Sequence, residues 1–170
     1  FQSLVERRLR HEPTAYILGW CGFYGIDLQV DPRVLIPRPE TELLVETVLA
    51  FVERRFGQEQ PCSVADVGTG SGAIAVALAL HMPHARIYAT DVSSGAIDVA
   101  RLNCRRHGVE GRVELLAGEL LEPLSQRVDV IVANLPYVKD ADIPQLMPEI
   151  RDFEPVAALA GGADGLGKVR

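Results

Sequence analysis

The stretch Asp66-Val67-Gly68-Thr69-Gly70-Ser71-Gly72-Ala73 limits the fold more than any other. An apolar run ends, glycine recurs at every second position, and an alanine-rich helical pattern starts at once. A strand, a tight loop and a helix satisfy that order. Glycine lets the loop backbone approach a ligand closely, and the first turn of the helix leaves N–H groups free to bind it. The alternation continues downstream. It predicts strands over 64–67, 86–90, 113–116 and 128–133, and helices over 73–81 and 94–107. Strands separated by helices imply a parallel sheet wound by right-handed crossovers, so the fold class is α/β.

Upstream, Leu4, Val5 and Leu9 share one face of a short helix that Pro13 closes. Residues 16–30 are rich in aromatics and glycine and read as a β-hairpin turning near 22–25. Pro37 and Pro39 hold the next segment extended. Leu43, Leu44, Val48, Leu49 and Val52 then mark an amphipathic helix to about Phe56, and residues 57–61 form a polar connection.

The 170 residues suffice for one full domain with a buried core. With 17 basic and 23 acidic residues the net charge is −6, which argues against a broad nucleic-acid face. No apolar run approaches the ~20 residues that span a bilayer. The N-terminus lacks a basic start followed by an apolar stretch, so it is no signal peptide. Cys21, Cys62 and Cys104 are odd in number and far apart, and read as buried thiols in a reducing cytoplasm.

Asp91 closes the strand after the glycine loop, about 20 residues on, where an acidic side chain accepts hydrogen bonds from a ribose diol. Loop and acid together predict a nucleoside-binding half-sheet. The plainer alternative is a tight turn and a helix cap. Gly68, Gly70 and Ala73 also satisfy the dinucleotide fingerprint. Asp66 favours S-adenosylmethionine instead, because a carboxylate at the strand end suits a cationic ligand and repels a pyrophosphate. The tetrapeptide Asn134-Leu135-Pro136-Tyr137 favours it too. It puts an amide, a backbone carbonyl and an aromatic at the carboxyl edge of the sheet, where open α/β sheets bind ligands. An Asn there holds another amide or an exocyclic amine, and Tyr137 walls it in. The reading is methyl transfer to a planar nitrogen. His81 and His84 read as a solvated helix end, with no metal site expected. Cys104 reads as packing, and Trp20 and Phe23 as hairpin core.

The chain resembles the release-factor glutamine methyltransferases, the HemK/PrmC family. The likeness rests on Leu35-Ile36-Pro37-Arg38-Pro39-Glu40-Thr41-Glu42, the loop from Asp66 to Ala73, Asn134-Leu135-Pro136-Tyr137, and Phe153-Glu154-Pro155 with Gly161-Gly162 and Asp164-Gly165-Leu166. Glu12-Pro13 with Ala15-Tyr16-Ile17-Leu18-Gly19 is similar to the family's linker. The resemblance implies a class I S-adenosylmethionine-dependent methyltransferase, with a Rossmann-like parallel sheet preceded by a β-hairpin linker. It implies the end of an N-terminal helical domain over 1–14, the linker over 15–38 and the catalytic domain over 39–170. The family's last strands would follow Arg170, so a C-terminally truncated fragment is expected. The implied reaction is methylation of a glutamine side-chain amide in peptide-chain release factors, in the cytoplasm, with no nucleic acid or membrane as partner. Asn134, Leu135, Pro136 and Tyr137 would serve catalysis. Asp66, Gly68, Thr69, Gly70, Ser71, Gly72, Asp91 and Asn134 would hold S-adenosylmethionine, with Glu119 and Leu120 flanking its adenine. Arg38, Glu40 and Thr41 would cover the cofactor, the alternative for Arg38 being a surface ion pair with Glu42. Leu135 stands where the family has a proline. That feature is similar to the ribosomal-RNA adenine dimethylating enzymes and leaves an RNA or DNA adenine amino-methyltransferase as one rival; the expected truncation leaves another, an inactive fragment that only binds a nucleoside cofactor or self-associates.

Overall fold

In the computed structural model, four parallel strands form the central sheet in the order β5-β4-β3-β6. The structure describes residues 1–57 and 59–170. The polar connection expected over 57–61 includes residue 58, which lies outside the described residues.

The strands are β3 (Cys62–Val67), β4 (Ala85–Asp91), β5 (Val113–Ala117) and β6 (Val130–Ala133). The helices α3 (Glu42–Phe56), α4 (Ala73–His81) and α5 (Ser94–Arg106) pack beside one another on the sheet. Each lies within two residues of its expected position. Helix α4 is apolar all round and buried from Ala73 to Ala79, as a helix enclosed by its neighbours must be. Its alanines let it lie close to strand and helix alike.

Register decides which side chains meet the helices. Val64 pairs with Ile87 and Val130, and all three turn the same way. Val64 and Ile87 are fully buried in the main core cluster. Asp66 lies two residues on from Val64 and therefore points to the same face. Ala65, Tyr88 and Ile131 share the opposite face, where Ile131 is 55% exposed.

The N-terminal part differs from the expectation in one respect. After α1 (Gln2–Leu9), residues 16–18 are helical rather than extended, within α2 (Thr14–Leu18). Pro13 is the N-cap of α2 instead of the end of α1. Proline fits there because the first N–H groups of a helix have no partner to lose. The hairpin follows as β1 (Trp20–Phe23) and β2 (Ile26–Gln29), turning at Tyr24 and Gly25. Phe23 is core, but Trp20 is 44% exposed and does not join it. Cys62 and Cys104 are buried, whereas Cys21 is only half-buried.

The hairpin docks on α5 through Asn103, which is fully buried. Its Oδ1 accepts from the Gln29 N–H at 2.7 Å, and its Nδ2 donates to the carbonyls of Gln29 and Ser71. Tyr16 packs beside Val30, Val34, Ala96 and Val99, and donates its hydroxyl to the Val34 carbonyl at 2.5 Å. These contacts carry residues 35–41 across the carboxyl end of the sheet.

Candidate active site

Connections from β3 run outward to β4 and β5, then return across to β6 on the other side of β3. The reversal lies between β3 and β6, and such switch points open a crevice at the carboxyl ends of the strands. A cavity occupies that place. The glycine loop supplies Gly68, Thr69, Gly70 and Ser71 to its wall, and β4 supplies Asp91. Glu119 and Leu120 close one side, and Asn134, Leu135 and Pro136 close another. Leu35, Pro37 and Arg38 of the N-terminal segment also line it, as do Pro155 and Ala158.

The loop is built on hydrogen bonds to β4. The N–H groups of Gly68 and Thr69 both donate to the Thr90 carbonyl at 2.9 Å. Asp91 accepts from the Gly70 N–H through Oδ2 and from the Ser93 N–H through Oδ1, both at 2.9 Å. It therefore tethers the loop and the start of α5 at once, and its carboxylate still borders the cavity. Gly70 has φ +55° and open space where a side chain would begin. That is the close-approach geometry glycine permits. Leu120 has φ +47°, uncommon for a leucine, and its carbonyl accepts from the buried Thr90 hydroxyl at 2.7 Å. Backbone held in a sparse region at a cavity wall marks a site the surroundings over-determine.

Asp66 and Gly72, expected at the cofactor, do not line this cavity, and neither do Glu40, expected to cover it, and Tyr137, expected in catalysis. Asp66 faces the helices, as its register requires. Its Oδ2 accepts from the Thr69 hydroxyl at 2.6 Å and from the Ala75 N–H at 3.1 Å, which pins the loop from beneath. Its Oδ1 is buried without a partner among the described residues. Burial pushes this carboxyl up to about 6, against the opposing pull of the Thr69 and Ala75 bonds. Gly72 packs against α5 instead: a side chain there would lie 3.1 Å from the Ala100 Cβ. Tyr137 is 72% exposed and borders a second, adjoining cavity, with Glu40, Leu44, Leu146 and Ile150. Asn134, Thr41 and Arg38 line both cavities. The seam between the two therefore runs past the Asn134 side chain, whose Nδ2 donates to the Thr41 hydroxyl at 3.3 Å.

Arg38 does not pair with Glu42, which accepts from the Tyr24 N–H instead. Its partner is Glu154 at 2.5 Å, a carboxylate 4% exposed that also accepts from the Ile36 N–H. Burial raises the Glu154 carboxyl above its usual range, and the Arg38 guanidinium works against that rise. Sequence spacing has no means of finding a pair 116 residues apart. The same holds for the ion pair of Lys168 with Glu119 at the cavity edge.

A family model described as the methyltransferase small domain matches residues 40–150. The chain belongs to this methyltransferase family. Among curated relatives of this methyltransferase, the release factor glutamine methyltransferase of Geobacter sulfurreducens is 50% identical over 166 residues, covering 97% of this chain and 56% of the relative. That of Moorella thermoacetica is 44% identical over 174 residues, covering 100% of this chain and 59% of the relative. The chain thus spans somewhat more than half the length of these relatives. Among solved structures, the hMettl16 catalytic domain in complex with the MAT2A 3′UTR hairpin 6 is 16% identical with a TM-score of 0.62, over 86% of this chain and 54% of that one. The 16S rRNA methyltransferase RsmC of T. thermophilus, in complex with AdoMet and guanosine, is 22% identical with a TM-score of 0.55, over 69% of this chain and 32% of that one. At those identities the likeness concerns the methyltransferase fold alone.

Proposed function

We propose that this methyltransferase moves a methyl group from S-adenosylmethionine to the side-chain amide nitrogen of a glutamine in peptide-chain release factors. The observation that carries the reading is the place of Asn134, at the seam of two cavities just beyond β6. The names of the curated relatives support the substrate.

The residues present fit the cofactor. A carboxylate at the end of β4, an open glycine loop and the apolar side chains of Val92 and Leu120 suit a nucleoside. When bound, S-adenosylmethionine supplies an already activated methyl group, so this chain's residues mainly have to align the acceptor. With Nδ2 spent on Thr41, the Asn134 Oδ1 is left to accept from a substrate NH2. The Leu135 carbonyl accepts from no backbone N–H among the described residues and offers a second acceptor. Two acceptors on one NH2 fix its plane and favour positive charge growing on nitrogen. No strong base is required, because an amide gaining a fourth substituent on nitrogen becomes very acidic. Tyr137, on the second cavity, packs on the substrate amide.

The division into a helical end over 1–14, a hairpin linker over 15–38 and a catalytic unit from 39 is also proposed. A family match that starts at residue 40 supports it. The three cysteines are free, in keeping with a reducing cytoplasm. A methylation assay offering release factor and ribosomal RNA side by side tests the substrate. Asn134→Ala should lose turnover on release factor and keep cofactor affinity. Preference for RNA, or normal turnover in that variant, refutes the reading.

A further inference from the structure

We propose that Thr41 is a positioning residue, whose hydroxyl anchors the Asn134 carboxamide and fixes its plane at the seam where the reacting nitrogen arrives. This rests on the reading of Asn134 given above.

An asparagine side chain has two near-identical orientations that differ by exchange of oxygen and nitrogen. Only one suits an amine acceptor. With Nδ2 toward the seam, two donors would face each other and the substrate NH2 would be repelled. In the structure Nδ2 donates to Thr41 Oγ1 at 3.3 Å. Oδ1 and Nδ2 share one carbon, so this bond leaves Oδ1 on the other side. Because a hydroxyl can accept from Nδ2 or donate to Oδ1, Thr41 fixes the plane of the carboxamide and the substrate NH2 selects the end that faces it. Asn134 lies beyond the end of β6, where no ladder bond holds it. Its orientation must come from a side-chain partner.

Thr41 ends a short 3-10 turn over Pro39–Thr41 that runs straight into α3, and its backbone is already helical at φ −70° and ψ −20°. Its hydroxyl makes no capping bond to α3. Thr41 is 9% exposed and its backbone is already fixed by an N–H bond to the Arg38 carbonyl at 3.0 Å. The hydroxyl is thus a buried group on a rigid turn, withheld from the helix and turned to Asn134. The turn also begins a 15-residue helix whose buried face is in the main core, which keeps the hydroxyl in place.

The test uses Thr41→Val, which keeps the shape and removes the hydroxyl, and Thr41→Ser, which keeps it. Thr41→Ala is the second hydroxyl-free variant, should the valine variant fail to fold. Turnover on release factor and the dissociation constant for S-adenosylhomocysteine are measured in the full chain. One positioned hydrogen bond corresponds to about tenfold in rate. Thr41→Val should therefore lower kcat about tenfold, with cofactor affinity within about twofold, and Thr41→Ser should restore kcat to within about threefold. Wild-type kcat in Thr41→Val overturns the proposal. So does an equal loss in valine and serine variants, or a loss that lies wholly in cofactor affinity. Asn134→Ala run in parallel separates the two levels. If it turns over normally, the role of Asn134 fails. If it is dead while Thr41→Val is normal, only the role of Thr41 fails.

Discussion

Gly161→Ala should damage catalysis from outside both cavities. Gly161 is buried against the turn that follows Asn134. A Cβ there would stand 2.8 Å from the Pro136 carbonyl oxygen, 2.8 Å from the Tyr137 Cα and 2.8 Å from the Gly165 carbonyl oxygen. All three are backbone atoms, so no flexible side chain can give way. Ordinary contact begins at 3.4 Å, which requires a backbone displacement of about 0.6 Å. The neighbours resist it: the Gly161 N–H donates to the Val138 carbonyl at 2.8 Å, and the Gly161 carbonyl accepts from Gly167 at 2.8 Å. Overpacking of this kind costs about 1–3 kcal/mol in stability. A 1 Å misplacement costs roughly a hundredfold in rate, so the expected loss in kcat is about tenfold. Gly161 lines neither cavity, and affinity for S-adenosylhomocysteine should hold. Three measurements decide it: urea unfolding, calorimetric titration and turnover on release factor. Gly111→Ala is the control, since its Cβ would meet nothing within 4 Å. It should change stability by no more than about 0.5 kcal/mol. Wild-type kcat in Gly161→Ala refutes the clamp on this turn, and so does a loss that follows cofactor affinity.

Arg38→Ala should destabilise the fold by about 3 kcal/mol, because it leaves the buried Glu154 carboxylate unpaired. Adding Glu154→Gln should recover part of the loss in urea melts; no recovery would mean the buried charge is not the cause. The Asp66 carboxyl, raised to about 6 by burial, holds its proton more tightly in the folded state than in the unfolded chain. Its contribution to stability is therefore full below about pH 4 and falls as pH rises to about 6, by on the order of 3 kcal/mol. The difference in unfolding free energy between wild type and Asp66→Asn should carry that slope, and parallel pH profiles would exclude it.

The central elements were legible because each is set by local pattern. The glycine loop, the all-apolar α4 and the runs that became β3 to β6 need no distant partner to declare themselves. The place of Asp91, at the end of β4 and on the cavity wall, was legible for the same reason, at a fixed spacing from the loop. Asp66 shows where that reading stops. Its place at a strand end suggested a ligand contact, but register turns it toward α4, and register is set by pairing with β4 and β6. Gly72 looked like part of the ligand loop and serves packing against Ala100, which only the tertiary structure brings near. The short helix α2 hid among aromatic and β-branched residues that read as strand, since its proline and its Gly19 at φ +80° matter only once the chain is helical.

The turn carrying Asn134 raises a mechanical question that the long-range contacts answer. β6 pairs with β3 over four residues, the last pair being Val67 with Ala133. The turn that follows lies beyond that ladder, yet aligning a weak nucleophile demands a fixed site. Stiffness comes from two segments distant in sequence. On one side the turn before α3 reaches Asn134 through Thr41. On the other, Val138 bridges to Ala160, and Gly161 and Gly165 press on Pro136 and Tyr137. Arg38 and Glu154 then join those two segments to each other. The turn is held as in a vice whose jaws are bolted together, so loosening the bolt should reach the chemistry without touching it. Arg38 itself borders both cavities, which makes Glu154, buried and lining neither, the cleaner residue through which to loosen it.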